Sequence, residues 1–297
     1  MTEDGKKYKF GFVSVVGGTN VGKSTLVNTL VGRKVCATSP KPNTTRSRIN
    51  GIFTDSEAQI VFTDTPGIVR PVGRLRQRMT AEGLSALENG VTLVVTDATS
   101  PFGGGEVKAI SESSRPVTVA INKTDIAGAK AVLETIKAGE KFGDKIAELV
   151  PVSALKDDGM DTLLRVLKKY LPEGGKKFPE GETTDQTEKF AASEFVREKI
   201  FRLTHGEVPY ESAVAVREIR RGRGGKGLYI NAEVFLEKES HRKIVLGKNG
   251  AMIKKIGSRA REDIEEFLGT KVFLELKVLV KPGWSKDGEF LDEMYGG

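Results

Sequence analysis

Short apolar runs alternate with amphipathic stretches through the first 172 residues of the chain. Five of these runs are predicted as buried strands: "FGFVSVVG", "QIVFTDTPG", "VTLVVTDAT", "PVTVAIN" and "AELVPVSA". Apolar strands separated by helical stretches indicate a mostly parallel sheet that helices cover on both faces. In such an α/β sheet, ligands bind at the loops that leave the carboxyl ends of the strands. Four of these loops carry polar or glycine residues, namely Gly17, Asp64, Asn122 and Ser153.

The pattern changes after Pro172. The stretch "PEGGKKFPEGETTDQTE" is rich in Gly, Pro and charge and has almost nothing to bury, so it is predicted as a linker. A helix, two strands, two helices and a last strand then follow, which is an α+β order. Along that last strand, alternate apolar residues from Val272 to Val280 share one face. The predicted organisation is a first domain at 8–172, a linker at 173–187, a second domain at 188–283 and a tail at 284–297.

Composition narrows the class of protein. Hydrophobic residues make up 38% and charged residues 29%, which suits two globular cores. The net charge of +7 favours an anionic partner, either nucleic acid or an acidic membrane surface. The single cysteine, Cys36, allows no intrachain disulfide and indicates a reducing compartment. With no apolar run near the roughly 20 residues that span a bilayer, a soluble cytosolic protein is expected, with a processed organellar form as the alternative.

A phosphate-binding loop is predicted where the first strand meets the first helix. The segment from Gly17 to Ser24 matches G-x-x-x-x-G-K-S in that context. Its glycines let successive backbone amides point at phosphate oxygens, Lys23 can reach the outer phosphates, and the Ser24 hydroxyl can bind Mg²⁺. The predicted residues are Gly17, Gly18, Thr19, Asn20, Val21, Gly22, Lys23, Ser24 and Thr25.

The stretch "INKTD" selects guanine over adenine. The carboxylate of Asp125 can accept hydrogen bonds from N1–H and the exocyclic amine of guanine, a donor pair that adenine lacks. The stem of Lys123 can cover the base, and the Asn122 amide can bridge the base edge and the phosphate loop. The segment "VSA", residues Val152, Ser153 and Ala154, can supply a backbone amide for the guanine oxygen.

The stretch "DTPG" is predicted to complete the site. Asp64 ends a strand and can hold the water shell of Mg²⁺, and the Gly67 amide can meet the γ-phosphate, with Thr65 and Pro66 between them. A further metal ligand is expected from "KPNTTRSRI", where Thr44 and Thr45 are both candidates.

The second domain carries a G-x-x-G loop between two helical segments. Its residues are Gly247, Lys248, Asn249 and Gly250. With the surrounding helix-strand-strand-helix-helix-strand order, this loop predicts a type II KH domain, whose loop clamps the backbone of single-stranded nucleic acid. Lys254, Arg242 and the basic turn "RRGRGGK", which ends at Lys226, are expected to add cationic contacts to RNA phosphates.

Taken in order, the phosphate loop, "NTTRS", "DTPG", "NKTD" and "VSA" resemble the Era-like, translation-factor-related GTPases. A KH domain after the GTPase domain resembles the ribosome-assembly members of that family. The resemblance implies Thr45 as the metal ligand and Asn20 as part of a potassium site. Ile68 stands where Ras-like enzymes carry a glutamine that orients the attacking water, so slow intrinsic hydrolysis is expected. The predicted catalytic residues are Lys23, Thr45, Gly67 and Asn20, and the predicted Mg²⁺ ligands are Ser24, Thr45 and Asp64.

The same resemblance implies a monomeric switch that binds the 3′ end of small-subunit (16S) rRNA and assists maturation of the small ribosomal subunit. RNA binding is expected to be tighter in the GTP state, with weak peripheral association at the inner membrane. Two alternatives remain open. One is a KH-based RNA regulator with a vestigial nucleotide site, and the other is a membrane-surface GTPase, which rests on positive charge alone.

Overall fold

The computed structural model describes residues 7–67, 90–222 and 227–295. Three features of the sequence lie outside these ranges: Ile68, the basic stretch at 70–79 and Lys226. The described chain divides into two compact units. Unit 1 contains residues 7–36, 45–67 and 90–185, and unit 2 contains residues 37–44, 186–222 and 227–295.

Unit 1 is built on a six-stranded sheet. Its strands are β1 (Lys9–Gly17), β2 (Ile49–Thr54), β3 (Ala58–Asp64), β4 (Val91–Asp97), β5 (Val117–Asn122) and β6 (Ile146–Pro151). The spatial order is β2-β3-β1-β4-β5-β6, and every neighbouring pair is parallel except β2 with β3. The mostly parallel sheet that the apolar runs predict is confirmed, and the carboxyl ends of β1, β3, β4 and β5 lie at one edge.

Among the described residues, four helices belong to this sheet. They are α1 (Lys23–Val31), α2 (Gly104–Glu112), α3 (Thr124–Glu140, interrupted at Gly128) and α4 (Met160–Tyr170). Strands β4 and β5 are buried almost throughout, because helices cover both of their faces. A buried scaffold of this kind holds the loops at the carboxyl ends in fixed positions.

Strand β2 is the element that the sequence pattern did not predict. Its sequence, "INGIFT", is short and contains Gly51. A Cβ at Gly51 would lie 2.8 Å from side-chain carbons of Val27 and Val31 on α1. The glycine therefore lets the helix approach the strand closely. Tertiary packing thus explains why this strand contains a residue that weakens the sequence signal for a strand.

The predicted linker at 173–187 makes specific contacts with unit 1 along most of its length. The Ile52 amide donates to the Thr183 carbonyl at 2.8 Å. The Gln59 side chain accepts from the amides of Lys177 and Phe178 at 2.7 and 2.9 Å. Residues up to 185 are thus part of unit 1, because β2 and a buried glutamine satisfy the backbone of a segment that has few apolar side chains.

Unit 2 combines a three-stranded sheet with helices. Its elements are α5 (Glu188–Leu203), β7 (Ser212–Arg221), β8 (Leu228–Leu236), α6 (Glu239–Leu246), α7 (Ala251–Leu268), β9 (Val272–Val280) and α8 (Gly288–Tyr295). The sheet order is β7-β8-β9, with β7 antiparallel and β9 parallel to β8. Ile256, Ala260 and Ile264 of α7 are fully buried in one core with α5 and the sheet, as the helical periodicity predicts.

Residues 37–44 group with unit 2 because cations on α5 hold their backbone. Arg202 donates to the carbonyl and hydroxyl of Thr38 at 2.8 and 2.9 Å. The buried Arg197 guanidinium donates to the Thr44 carbonyl and to Glu194. The predicted first domain at 8–172 included this segment, and sequence order gave no sign of these contacts.

The C-terminal segment packs on the second sheet. Trp284 is fully buried, and its indole N–H donates to the Glu211 carbonyl at 3.3 Å. Phe290, Leu291 and Tyr295 join it in a second core against Ala213 and Phe235. Trp284 therefore anchors the end of the last strand. In residues 7–67, 90–222 and 227–295, no helix combines the length and apolar character needed to cross a bilayer.

Candidate functional site

The loop between β1 and α1 has the backbone of a phosphate cradle. Asn20 and Gly22 both have positive φ, 64° and 98°. A Cβ at Gly22 would lie 2.3 Å from the Asn122 side-chain nitrogen, so only glycine fits there. The loop ends at Lys23, where α1 begins and its first amides are left for an anion.

Lys23 points back into this loop. Its ammonium is buried and donates to the carbonyls of Gly18 and Gly17 at 2.6 and 3.3 Å. Burial lowers the pKa of Lys23, while the carboxylates of Asp64 and Glu106 act in the opposite direction. The ammonium lies under the amides that line the loop, where it can neutralise bound phosphate oxygens.

Three oxygen-bearing side chains meet beside the loop. Ser24 Oγ donates to Asp64 Oδ2 at 2.6 Å and lies 3.0 Å from Thr45 Oγ1, which in turn donates to the same carboxylate oxygen at 3.2 Å. Thr44 instead turns its hydroxyl to the Lys41 carbonyl at 2.9 Å. Of the two candidate threonines, Thr45 is therefore the one that reaches the cluster.

These oxygens fit a magnesium ion, which prefers hard oxygen ligands. Asp64 is fully buried, and its Oδ1 accepts no hydrogen bond from the described residues. Burial raises the pKa of Asp64, against the Lys23 ammonium, the two hydroxyls and the weak Cys36 thiol donor. A divalent cation would supply the missing partner and favour the charged carboxylate.

The "DTPG" loop passes over the phosphate loop. The Thr65 hydroxyl is buried and donates to the Val15 carbonyl of β1 at 2.8 Å. A Cβ at Gly67 would lie only 3.2 Å from the Thr19 Cα. The Gly67 backbone therefore lies close to the phosphate loop, and its contact with the γ-phosphate stays a prediction.

The "NKTD" and "VSA" loops are tied to each other and to the phosphate loop. The buried Asn122 amide donates to the Val21 carbonyl at 2.9 Å, and its oxygen accepts from the Ala154 amide at 3.0 Å. Ser153 Oγ donates to Asp125 Oδ1 at 2.7 Å. The Asp125 carboxylate is thus oriented by Ser153, a role that the sequence did not assign to this serine.

Two carboxylates of this site were missed from the sequence. Asp97, at the end of β4, accepts from Lys123 Nζ at 2.6 Å, and the same ammonium donates to the Asn20 carbonyl at 2.8 Å. Burial acts to raise the pKa of Asp97, but the bonds from Lys123 and Thr99 outweigh it and hold that pKa below its ordinary value. The sequence carried a signal for Asp97, because "TDAT" follows an apolar strand in the same way as "TDTP", which contains Asp64.

The second missed carboxylate is Glu106 on α2. It is buried, and its Oε1 accepts a 3.0 Å hydrogen bond from the Gly18 amide. No motif identifies it, since an acidic residue in the first turn of a helix is common on stability grounds alone.

In unit 2, the G-x-x-G loop connects α6 and α7 with a strained backbone. Gly247 has φ 71° and ψ 175°, and Asn249 and Gly250 also have positive φ. A Cβ at Gly247 would lie 2.7 Å from the Met252 Cβ, whereas one at Gly250 would meet nothing within 4 Å. Of the other predicted contacts, Arg242 pairs with Glu239 at 3.0 Å.

A groove runs beside this loop between α7 and β9, with a volume of about 310 Å³. Its floor is apolar and its rim is cationic, and Lys254, which the sequence predicts as an RNA contact, is one of its lining residues. The α7/β9 groove is lined by Ile253, Lys254, Gly257, Ser258, Arg261, Phe273, Leu274 and Leu276. A Cβ at Gly257 would lie 3.3 Å from Leu276, so the glycine keeps helix and strand close. The sequence identified the loop but not this groove.

Comparison with known proteins finds a matching family for each of the two regions that hold these sites. Residues 12–123 match a family described as a 50S ribosome-binding GTPase, and residues 207–285 match the KH domain family. The protein called GTPase Era from Geobacter metallireducens is 44% identical over 291 residues, which cover 97% of each chain. GTPase Era from Thermotoga maritima is 44% identical over 295 residues, covering 96% of this chain and 97% of the relative.

Solved structures of Era also resemble this chain over nearly its whole length. The crystal structure of Era in complex with MgGDPNP and nucleotides 1506–1542 of 16S ribosomal RNA has a TM-score of 0.92 and 41% identity, covering 97% of this chain and 98% of that one. A single-residue variant of Aquifex aeolicus Era bound to GDP·AlF4⁻ also has a TM-score of 0.92 and 41% identity, covering 96% and 98%.

The fold and the two sites define a P-loop GTPase joined to a C-terminal KH domain. Near-complete coverage at more than 40% identity then identifies the family: the chain belongs to the GTPase Era family. It is therefore a GTPase, and the predicted fold class is confirmed.

Proposed function

We propose that this chain is a GTP-dependent switch that binds the 3′ end of small-subunit rRNA through its KH domain and assists maturation of the small ribosomal subunit. The observation that carries the proposal is that one chain holds both the Ser24–Thr45–Asp64 oxygen cluster and a G-x-x-G loop beside an open groove. The Era structure with the 16S fragment 1506–1542 supports the choice of RNA.

The nucleotide half of the proposal assigns roles to the chain's own groups. The backbone of residues 17–25 binds the phosphates, Lys23 neutralises the outer ones, and the Gly67 amide contacts the γ-phosphate. Ser24, Thr45 and Asp64 would hold Mg²⁺, whose charge offsets that of the β- and γ-phosphates. Asp125, oriented by Ser153, reads the guanine edge. The Ala154 amide donates to the Asn122 side chain, which ties the "VSA" segment to "NKTD" beside the base site.

Potassium stimulation is a further part of the proposal. Asn20 is exposed at the crest of the loop with left-handed backbone, and Lys123 fixes its carbonyl. This leaves the Asn20 side chain available to a monovalent cation beside the phosphates. GTP turnover should be faster in K⁺ than in Na⁺, and Asn20→Ala should abolish the difference. Equal wild-type rates in the two buffers would rule this part out.

The RNA half assigns the G-x-x-G loop to the RNA backbone and the α7/β9 groove to the bases. Its test is the affinity of the full chain for the 16S fragment 1506–1542, measured by fluorescence anisotropy with GDPNP and with GDP. Tighter binding with GDPNP is expected. Indistinguishable affinities would remove the switch, and no binding in either state would remove the RNA function.

A vestigial nucleotide site is the competing interpretation. GTP turnover by wild type and Lys23→Ala separates the two, because a working site loses its activity with the lysine and a vestigial one shows no difference. Fluorescent GDP binding is measured in parallel, and Leu133→Ala, an exposed apolar position on α3, is the matched control. A monomeric state and weak membrane association remain predictions, which sedimentation velocity and liposome co-sedimentation would check.

A further inference from the structure

The sheet of unit 2 has two faces with different surroundings. Ile219, Ile230 and Leu274 point toward the helices and pack in or against their core. Their immediate neighbours along the chain point to the opposite face, because side chains alternate along a strand. These neighbours are paired across the three strands: Arg220, Tyr229 and Phe273. These three residues are named here the outer row. The C-terminal segment packs around Phe235, farther along β8, rather than on the outer row.

The outer row is a set of flat groups beside one another. The Tyr229 and Phe273 rings are nearly parallel, at 13°, with centroids 5.9 Å apart. The Arg220 guanidinium carbon lies 4.3 Å from the Tyr229 centroid. Phe273 lies on β9, the edge strand of the sheet, and is 68% exposed. A large aromatic ring at this exposure is unusual for a residue with only a structural role.

A cavity of about 580 Å³ opens over the outer row. Arg220, Tyr229, Lys271 and Phe273 line it, together with Gly222 and Gly227, which add little bulk. None of its described lining residues is acidic. Three carboxylates of the described chain lie nearby: Glu218 pairs with Arg220, Glu275 accepts from the Tyr229 hydroxyl, and Glu265 pairs with Lys271 at 3.0 Å. Aromatic faces together with cations are the features that bind single-stranded nucleic acid.

Phe273 lines both this cavity and the α7/β9 groove. The two are therefore continuous around the edge of β9. A KH loop clamps about four nucleotides, so a longer RNA that leaves the groove at this edge meets the Phe273 ring next. This continuity favours RNA over a protein segment as the occupant.

We propose that the outer row is a second RNA contact, in which a nucleobase beyond the groove stacks on the exposed Phe273 ring, whose other face packs on Tyr229, while Arg220 and Lys271 neutralise the adjoining phosphates. The inference rests on the proposed RNA function. Stacking on an aromatic face accepts any base, so the outer row adds affinity and length dependence rather than sequence preference.

The test uses the full chain with GDPNP and two RNA probes. The long probe is the 16S fragment 1506–1542, and the short probe is the tetranucleotide of that fragment with the highest wild-type affinity. Tyr229→Leu is the main variant, because Tyr229 lines the outer cavity but not the groove. Tyr229→Leu should weaken the long probe about tenfold and leave the short probe within twofold. Tyr229→Phe should restore wild-type affinity, since it keeps the ring.

Controls separate the possible failures. Thermal unfolding checks that each variant is folded, and Leu133→Ala controls for loss of an exposed apolar side chain. Lys248→Asp in the G-x-x-G loop should weaken both probes. If wild type binds neither probe, the proposed function and this inference both fall. If wild type binds both and Tyr229→Leu changes neither, or changes both equally, only the inference falls. The inference would also be overturned if the RNA-free protein self-associates and Tyr229→Leu abolishes that self-association. The outer row would then be a contact with a second copy of the chain.

Discussion

The Glu106 carboxylate accepts a 3.0 Å hydrogen bond from the backbone amide of Gly18. The bond ties the first turn of α2 to the second residue of the phosphate loop, and the Glu106 side chain is buried. A Cβ at Gly18 would lie 2.8 Å from Glu106 Oε1, so the two residues leave no space between them. Glu106 therefore positions the loop through the Gly18 backbone.

Removing this carboxylate should loosen the loop. We expect Glu106→Ala to weaken GDP and GTP binding by about tenfold, because a charge-assisted hydrogen bond contributes about 1.5–3 kcal/mol. Glu106→Gln keeps an oxygen acceptor and should lose much less. Stopped-flow release of a fluorescent GDP measures the effect, and equal release rates for the two variants would show that the Gly18 bond is not what matters.

A substitution at Asp125 should change the base specificity of the site from guanine to xanthine. An asparagine at this position offers one acceptor and one donor, which matches xanthine, where a C2 carbonyl replaces the amine of guanine. Asp125→Asn should lower GTP affinity by at least about 100-fold and raise XTP affinity. Ser153→Ala, which removes only the orienting bond, should cost about tenfold or less with no gain for XTP. Competition binding with GTP and XTP checks both, and a loss of both nucleotides by Asp125→Asn would point to misfolding instead.

The two glycines of the G-x-x-G loop should differ in their structural requirement. Gly247 combines φ 71° with ψ 175°, a region almost exclusive to glycine, and has Met252 at contact distance. Gly250 has a left-handed backbone in open space. Gly247→Ala should therefore lower the free energy of unfolding by about 3 kcal/mol, and Gly250→Ala by about 1 kcal/mol. Urea denaturation followed by circular dichroism provides the comparison, and equal losses would contradict it.

The Asp97–Lys123 ion pair should stabilise the fold in a pH-dependent way. The pKa of Asp97 is lower in the folded protein than its ordinary value. Its contribution is therefore present above about pH 4, the unfolded value, and is lost as the pH falls through the folded pKa. The pair is mostly screened from solvent, and about 1 kcal/mol is expected.

A double-mutant cycle measures the interaction energy between Asp97 and Lys123 separately from the other effects of each substitution. The coupling between Asp97→Asn and Lys123→Met, measured by urea denaturation, should be about 1 kcal/mol at pH 6 and smaller at pH 3. The cycle of Lys108→Ala with Glu112→Ala, an exposed pair on α2, is the control and should show little coupling at either pH. A coupling that does not change between the two pH values would show that the Asp97 charge is not its source.

The sequence by itself determined the parts of this protein that depend on neighbouring residues. The phosphate loop and the G-x-x-G loop each need a particular backbone over a few consecutive positions, and glycine or a left-handed asparagine at those positions reveals it. Four of the five predicted strands were readable as buried, because short apolar runs favour strands that helices cover on both faces. The prediction was wrong for β6, which lies at the sheet edge and is mostly half-buried or exposed.

Only the tertiary structure decided the contacts between distant positions. Glu106 and Gly18 are 88 residues apart, and Ser153 and Asp125 are 28 apart. β2 was missed because its glycine serves the packing of α1, and residues 173–185 were missed because backbone groups rather than apolar side chains hold them. The outer row arises from the register of three strands. The physical reason is that hydrogen bonds and ring contacts are fixed by distance in space, and a sequence shows distance in space only where the chain is locally regular.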